Sequence, residues 1–198
     1  MNFLRQKKLY LFFAVIILGG YAVSKFIFSE GVNIPENFTK SRMQAALVSE
    51  DVIKISEDIK NNVSKINALD NEKKYNEAFS LLNETNIKIL DIRKKAIELS
   101  SQLEIMTKEL NNIKARGAET FAISAVTNRL TIINHLINYS DYLFQLNLAL
   151  QDRFYGKNNR DQILSLIEKI NNEVQAINQA NEQANLDMEK FDQALKNK

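Results

Sequence analysis

Residues 75–113 read YNEAFSLLNETNIKILDIRKKAIELSSQLEIMTKELNNI, and this stretch decides the fold. Apolar side chains recur along it in two rows. One row is Tyr75, Leu82, Ile89, Ala96, Leu103 and Leu110; the other is Ala78, Thr85, Ile92, Leu99, Met106 and Ile113. The steps alternate between three and four residues, a period of about 3.5 that sets both rows on one side of an α-helix as a narrow seam. No proline or glycine breaks the register. At about 1.5 Å per residue the stretch makes a rod roughly 60 Å long, so other long helices have to cover the seam.

Outward from this stretch the same pattern repeats. Ser41-Arg-Met-Gln44 has the form of a capping box, in which a hydroxyl and an amide satisfy backbone donors at a helix start. It predicts a helix over residues 41–69 with rows Ala45, Val52, Ile59, Ile66 and Val48, Ile55, Asn62, Leu69. Ser49-Glu50-Asp51 is a candidate interruption of it. Asp70-Asn71 supplies the next cap, and the organising helix is expected over residues 71–116, closed by Gly117 in a left-handed conformation. A third helix over 119–155 carries two apolar flanks, which predicts neighbours on both sides. Ile123, Val126, Leu130, Ile133, Ile137 and Phe144 form one flank; Ile132, Leu136, Tyr139, Leu143, Leu146 and Leu150 form the other.

Gly156 closes the third helix, and Asn159-Arg-Asp-Gln162 opens a fourth over 159–196. Its apolar residues thin to Ala and Asn past Ile177, which predicts a frayed last stretch. Short connections force antiparallel neighbours, so the expected fold is all-α: a long, coiled-coil-like antiparallel four-helix bundle over residues 41–198. Asn62 and Asn181 fall on core rows, where a buried amide fixes alignment or where the layer lies near a wet end of the bundle.

The amino-terminal part is different in kind. Residues 1–8 carry Arg5, Lys7 and Lys8, and residues 9–28 read LYLFFAVIILGGYAVSKFIF. About 20 apolar residues match the ~30 Å hydrocarbon layer of a membrane. The preceding basic residues predict an amino end in the cytoplasm and a chain exported after Phe28, with residues 29–40 as a linker. The expected location is therefore the cell membrane, crossed once, with the bulk of the chain outside the cytoplasm. Gly20 and Ser24 have the small-xxx-small spacing by which membrane helices pair. The competing reading is a signal peptide cut after Ala22-Val23-Ser24, which exports the same domain without an anchor.

Composition excludes several chemistries. Lys and Arg number 26 against 24 Asp and Glu, and the charges are interspersed, so no basic field exists for nucleic acid. No cysteine is present, which excludes disulfides, thiolate nucleophiles and sulfur zinc sites. His135 is the only histidine, flanked by Ile132 and Leu136 on a helix, so a histidine metal cage within one chain is excluded. A Ser-His-Asp arrangement would need Asp141 or another carboxylate beside that histidine, and no spacing suggests it. Phosphate-cradling glycine runs are absent.

No catalytic residue, cofactor or metal ligand is therefore expected. Tyr139, Tyr142, Phe154 and Tyr155 cluster near the end of the third helix as a candidate protein interface. The expected function is non-catalytic: a membrane-anchored bundle acting by protein-protein contact as scaffold, adaptor or assembly component. The same heptads also support a homo-oligomer. An alternative is ligand sensing, since the ligand-binding domains of bacterial chemoreceptors are also four-helix bundles beside a membrane helix.

Overall fold

The computed structural model describes residues 34–113 and 117–196, and this part of the chain is helical throughout apart from short turns. Four helices follow one another: α1 Glu36–Asn71, α2 Tyr75–Glu109, α3 Ala118–Phe154 and α4 Arg160–Lys196, with a 3-10 turn over Leu110–Asn112. Each has 35 to 37 residues, which at helical rise gives matched rods of roughly 50 to 55 Å. None of the described helices is long and apolar enough to cross a membrane. The apolar run 9–28 lies outside the described residues, and Gly20 and Ser24 lie with it.

Antiparallel order is visible in the bonds between helices. Lys88 and Lys95 on α2 reach Asp58 and Asp51 on α1 at 2.8 and 3.0 Å. Arg93 and Asn147 tie α2 to α3, while Ser124 and His135 tie α3 to α4. In every case the residue number rises on one helix as it falls on its neighbour. At the end where α1 begins, Arg42 grips Asp192 of α4 through two hydrogen bonds of 2.8 Å, and Phe38 lies 5.5 Å from Phe191, which closes the ring.

Both expected rows of α2 are buried except Tyr75, which stands 39% exposed in the first turn. Facing them are Val52 and Ile59 of α1, Leu136 and Leu143 of α3, and Ile170 and Val174 of α4, all fully buried in one continuous core. A buried Leu or Ile side chain contributes roughly 1.5–3 kcal/mol, so these rows hold the bundle together.

Several sequence expectations need correction. Helix α1 begins at Glu36 rather than Ser41, because Pro35 presets the entry angle and its carbonyl accepts from the Thr39 amide at 3.2 Å. Ser41 is instead buried inside the helix, and the linker correspondingly loses residues 36–40. Nor does Ser49 interrupt α1: its hydroxyl donates to the Ala45 carbonyl at 2.8 Å and the helix runs on.

Asp70 and Asn71 do not cap α2, since they are the last residues of α1. The turn is made by Lys73 at φ 58, with the Lys74 amide donating to Leu69 and the Lys73 amide to Asp70. Gly117 does take a left-handed φ of 85, but it stands directly before α3, several residues past the end of α2. The last part of α4 is not frayed: Ala184, Met188, Phe191 and Leu195 are buried. Finally, Ile123, Leu130, Ile137 and Phe144 of α3 are exposed; of that flank only Val126 and Ile133 are buried.

Candidate functional site

The polar residues that the bundle draws inward come first, because burial of a polar group requires a partner. Asn147 of α3 donates to the Leu82 carbonyl at 2.8 Å and to Asn86 at 2.6 Å, while Asn62 of α1 donates to Glu84 at 3.2 Å. These two groups lie at a similar height, one on the α1–α2 side and one on the α2–α3 side. Asn62 is thus buried, with its amide reaching Glu84 at the solvent-exposed edge of α2. Asn181 is buried as well.

A second polar group joins α3 to α4. The Asp187 carboxylate is buried and accepts from Ser124 at 2.6 Å, Gln183 at 3.0 Å and Asn128 at 3.1 Å. Three neutral donors hold it, which compensates for much of the hydration it loses. His135 sits on the same α3–α4 seam, its Nδ1 2.6 Å from Glu173 Oε2. Asp141 is turned the other way and pairs with Arg93 of α2. Histidine and that aspartate therefore sit on opposite sides of α3. Among the described residues no group of three or more His, Asp or Glu could hold a metal ion.

The four aromatic residues expected to share a contact surface do not assemble into one. Tyr139 is 1% exposed, in the centre of the core. Burial raises its phenol above the ordinary range, and the neighbouring Ser56 hydroxyl acts in the opposite sense. Tyr142 is half-buried beneath the Lys169 ammonium, 5.3 Å from its ring centre. Phe154 and Tyr155 do meet, at the end of the bundle opposite the start of α1. There Phe79 packs 5.6 Å from Phe154 and 5.2 Å from Tyr155, and Tyr75 lies 5.7 Å from Phe154. Of these, Tyr155 is the most exposed, at 70%.

The surface that sequence reasoning missed lies along α2 and α3. Ile123, Leu130, Ile137 and Phe144 recur every seven residues on α3 and are between 38% and 46% exposed. Beside them, Leu90 and Ile97 of α2 are 51% and 69% exposed. The heptad spacing of α3 is legible in the sequence and predicts cover by another helix of the same bundle. Instead it forms an apolar strip with an ion pair, Arg93 to Asp141, crossing its middle. Chemically, such a strip can bury itself against another apolar surface. No family model, curated protein or solved structure matches this chain.

Proposed function

We propose that this protein is a single-pass membrane protein, amino end in the cytoplasm, that holds its helical bundle outside the cytoplasm and acts there by protein-protein contact. Its role is that of a scaffold, adaptor or assembly component. The observation that carries the reading is the contrast between residues 9–28, apolar and preceded by Arg5, Lys7 and Lys8, and the amphipathic helices that follow. Seven residues separate Phe28 from Glu36, a reach of at most about 25 Å, so the bundle stands next to the bilayer. Support for contact rather than chemistry comes from the bare strip on α2 and α3, together with a histidine committed to Glu173 on a helix seam.

Membrane fractionation of cells expressing the full chain tests the anchor. The chain is expected in the pellet after an alkaline carbonate wash, at full-length mass, with its bundle digested by protease added outside the cytoplasm. A soluble chain beginning near Lys25 would replace the anchor with a cleaved signal peptide. Protection of the bundle from external protease would place it on the cytoplasmic side and defeat the reading.

A further inference from the structure

We infer that the α2–α3 face is the interface of a homodimer whose two-fold axis runs parallel to the helices. This deepens the contact function proposed above and rests on it. Successive residues of a helix turn by about 100°, so the bonds between helices fix where each side chain points. On α2, Lys88 and Lys95 mark the α1 side, and Asn86 and Arg93 mark the α3 side. Leu90 and Ile97 then point away from α1, out of the bundle. On α3, Ser124 and His135 mark the α4 side, and Ile123, Leu130, Ile137 and Phe144 point away from it. Both sets emerge on one flat two-helix face.

Register brings the two sets together. The pairs Arg93–Asp141 and Asn86–Asn147 place Leu90 at the height of Phe144 and Ile97 at the height of Ile137. Six side chains at roughly half exposure leave on the order of 500 Å² bare, at the upper end of what a monomer shows, and the polar residues flanking them extend the face towards the ~800 Å² per partner of a standard interface.

A second copy of the chain fits this face on three counts. The occupant has to be a rod with apolar residues at seven-residue spacing; α3 presents four, and α2 presents two, Leu90 and Ile97, at the height of Phe144 and Ile137. A rotation of 180° about an axis parallel to the helices keeps every residue at its own height. It therefore lays α2 antiparallel on α3 of the partner subunit, with Ile97 beside Ile137 of the partner subunit, and the two layers form a further four-helix core. Lys94, 71% exposed, then stands level with Asp141 of the partner subunit, twice per dimer. The perpendicular axis would instead set α2 on α2 and, with Leu90 opposite Ile97, bring Arg93 against Lys94. Finally, an axis along the helices sends both amino ends out at the same end, as two chains anchored in one membrane require.

Because the chain has no cysteine, introduced thiols report on contacts without background. Full-length Ile97→Cys and Ile137→Cys chains, carrying different tags, would be purified separately in mild detergent, mixed and oxidised. The expected result is a disulfide-linked dimer bearing both tags, at several-fold the yield of either variant alone. Light scattering of the unmodified chain should give twice its 22.7 kDa protein mass, and the Ile97→Glu, Ile137→Glu double variant should give one chain mass. A single-chain mass for the unmodified protein, or cross-links as strong within each variant as between them, would overturn the dimer. A monomer that still passes the membrane test leaves the anchor intact, whereas an intact dimer released by carbonate removes the anchor alone.

Discussion

Two helix ends show how one residue sets a local free energy. Helix α3 closes with Gly156 at φ 87, its amide donating to Arg153 and the Lys157 amide to Asp152. Helix α1 closes with the same pair of bonds around Lys73, at φ 58. A side chain in this region meets its own backbone, and glycine does not. Lys73→Gly should therefore raise stability by about 0.5–1 kcal/mol, read from the urea midpoint, and Gly156→Ala should lower it by about as much. No atom lies within 4 Å of a Cβ added at Gly156, so the loss there would be backbone strain alone. Arg129 makes a different case. It is half-buried on α3, and loss of hydration together with the nearby Arg42 lowers its guanidinium to about 10. A cation in that setting opposes folding, and Arg129→Met should add about 1 kcal/mol in the same measurement. Tyr139 gives a pH dependence. Its native phenol titrates above the unfolded value, so its contribution is full below about pH 10. Above that pH the unfolded chain gives up the proton first and stability falls, by at most about 1.4 kcal/mol per pH unit. Between pH 9 and 11.5 the urea midpoint of the native chain should fall more steeply than that of Tyr139→Phe; equal slopes would show that the phenol is not isolated from solvent.

At the scale of the helices, what was legible followed from how each residue type reports its surroundings. The α2 rows could be read because eight of their twelve positions hold Leu, Ile or Met, and only Tyr75, in the first turn, escaped burial. Helix α1 was read less well because Ser41, Ser49 and Ser56 are buried, and serine carries no apolar signal. A hydroxyl that returns its hydrogen bond to its own helix, as Ser49 does to Ala45, can be buried without a partner elsewhere. Small residues misled again in α4, where Ala and Asn past Ile177 suggested weak packing. Ala184 and Asn181 are buried all the same, with Phe191 fully buried against Phe38 and Leu195 beyond it. This distinction is measurable. Phe191→Ala should cost about 3–5 kcal/mol, as deletion of a core aromatic does, whereas a frayed end would lose almost nothing. Amide exchange across residues 180–195 should be as slow as in the centre of α4 in the native chain, and should accelerate first in the variant.

For the molecule as a whole, a heptad specifies that a helix face is covered but not by what. The α2 seam and the α3 strip have the same seven-residue spacing, yet one faces the core and the other faces solvent. Sequence alone therefore gives the four rods and leaves the fifth and sixth neighbours undetermined, because a four-helix bundle already satisfies only one side of each helix. If a second copy supplies those neighbours, folding and association are linked, and stability has to depend on concentration. Each tenfold rise in chain concentration adds about 0.7 kcal/mol per chain to a dimer, which for a bundle of this size raises Tm by roughly 2 °C. Over a hundredfold range the full chain, in detergent held at constant composition, should therefore gain about 4 °C. Ile97→Glu is the control, because Ile97 is 69% exposed and makes a small contribution to the monomer. It should melt at one temperature across the whole range, near that of the most dilute native sample. A native chain whose Tm does not move with concentration would show that the strip on α2 and α3 is bare in solution or belongs to a different partner.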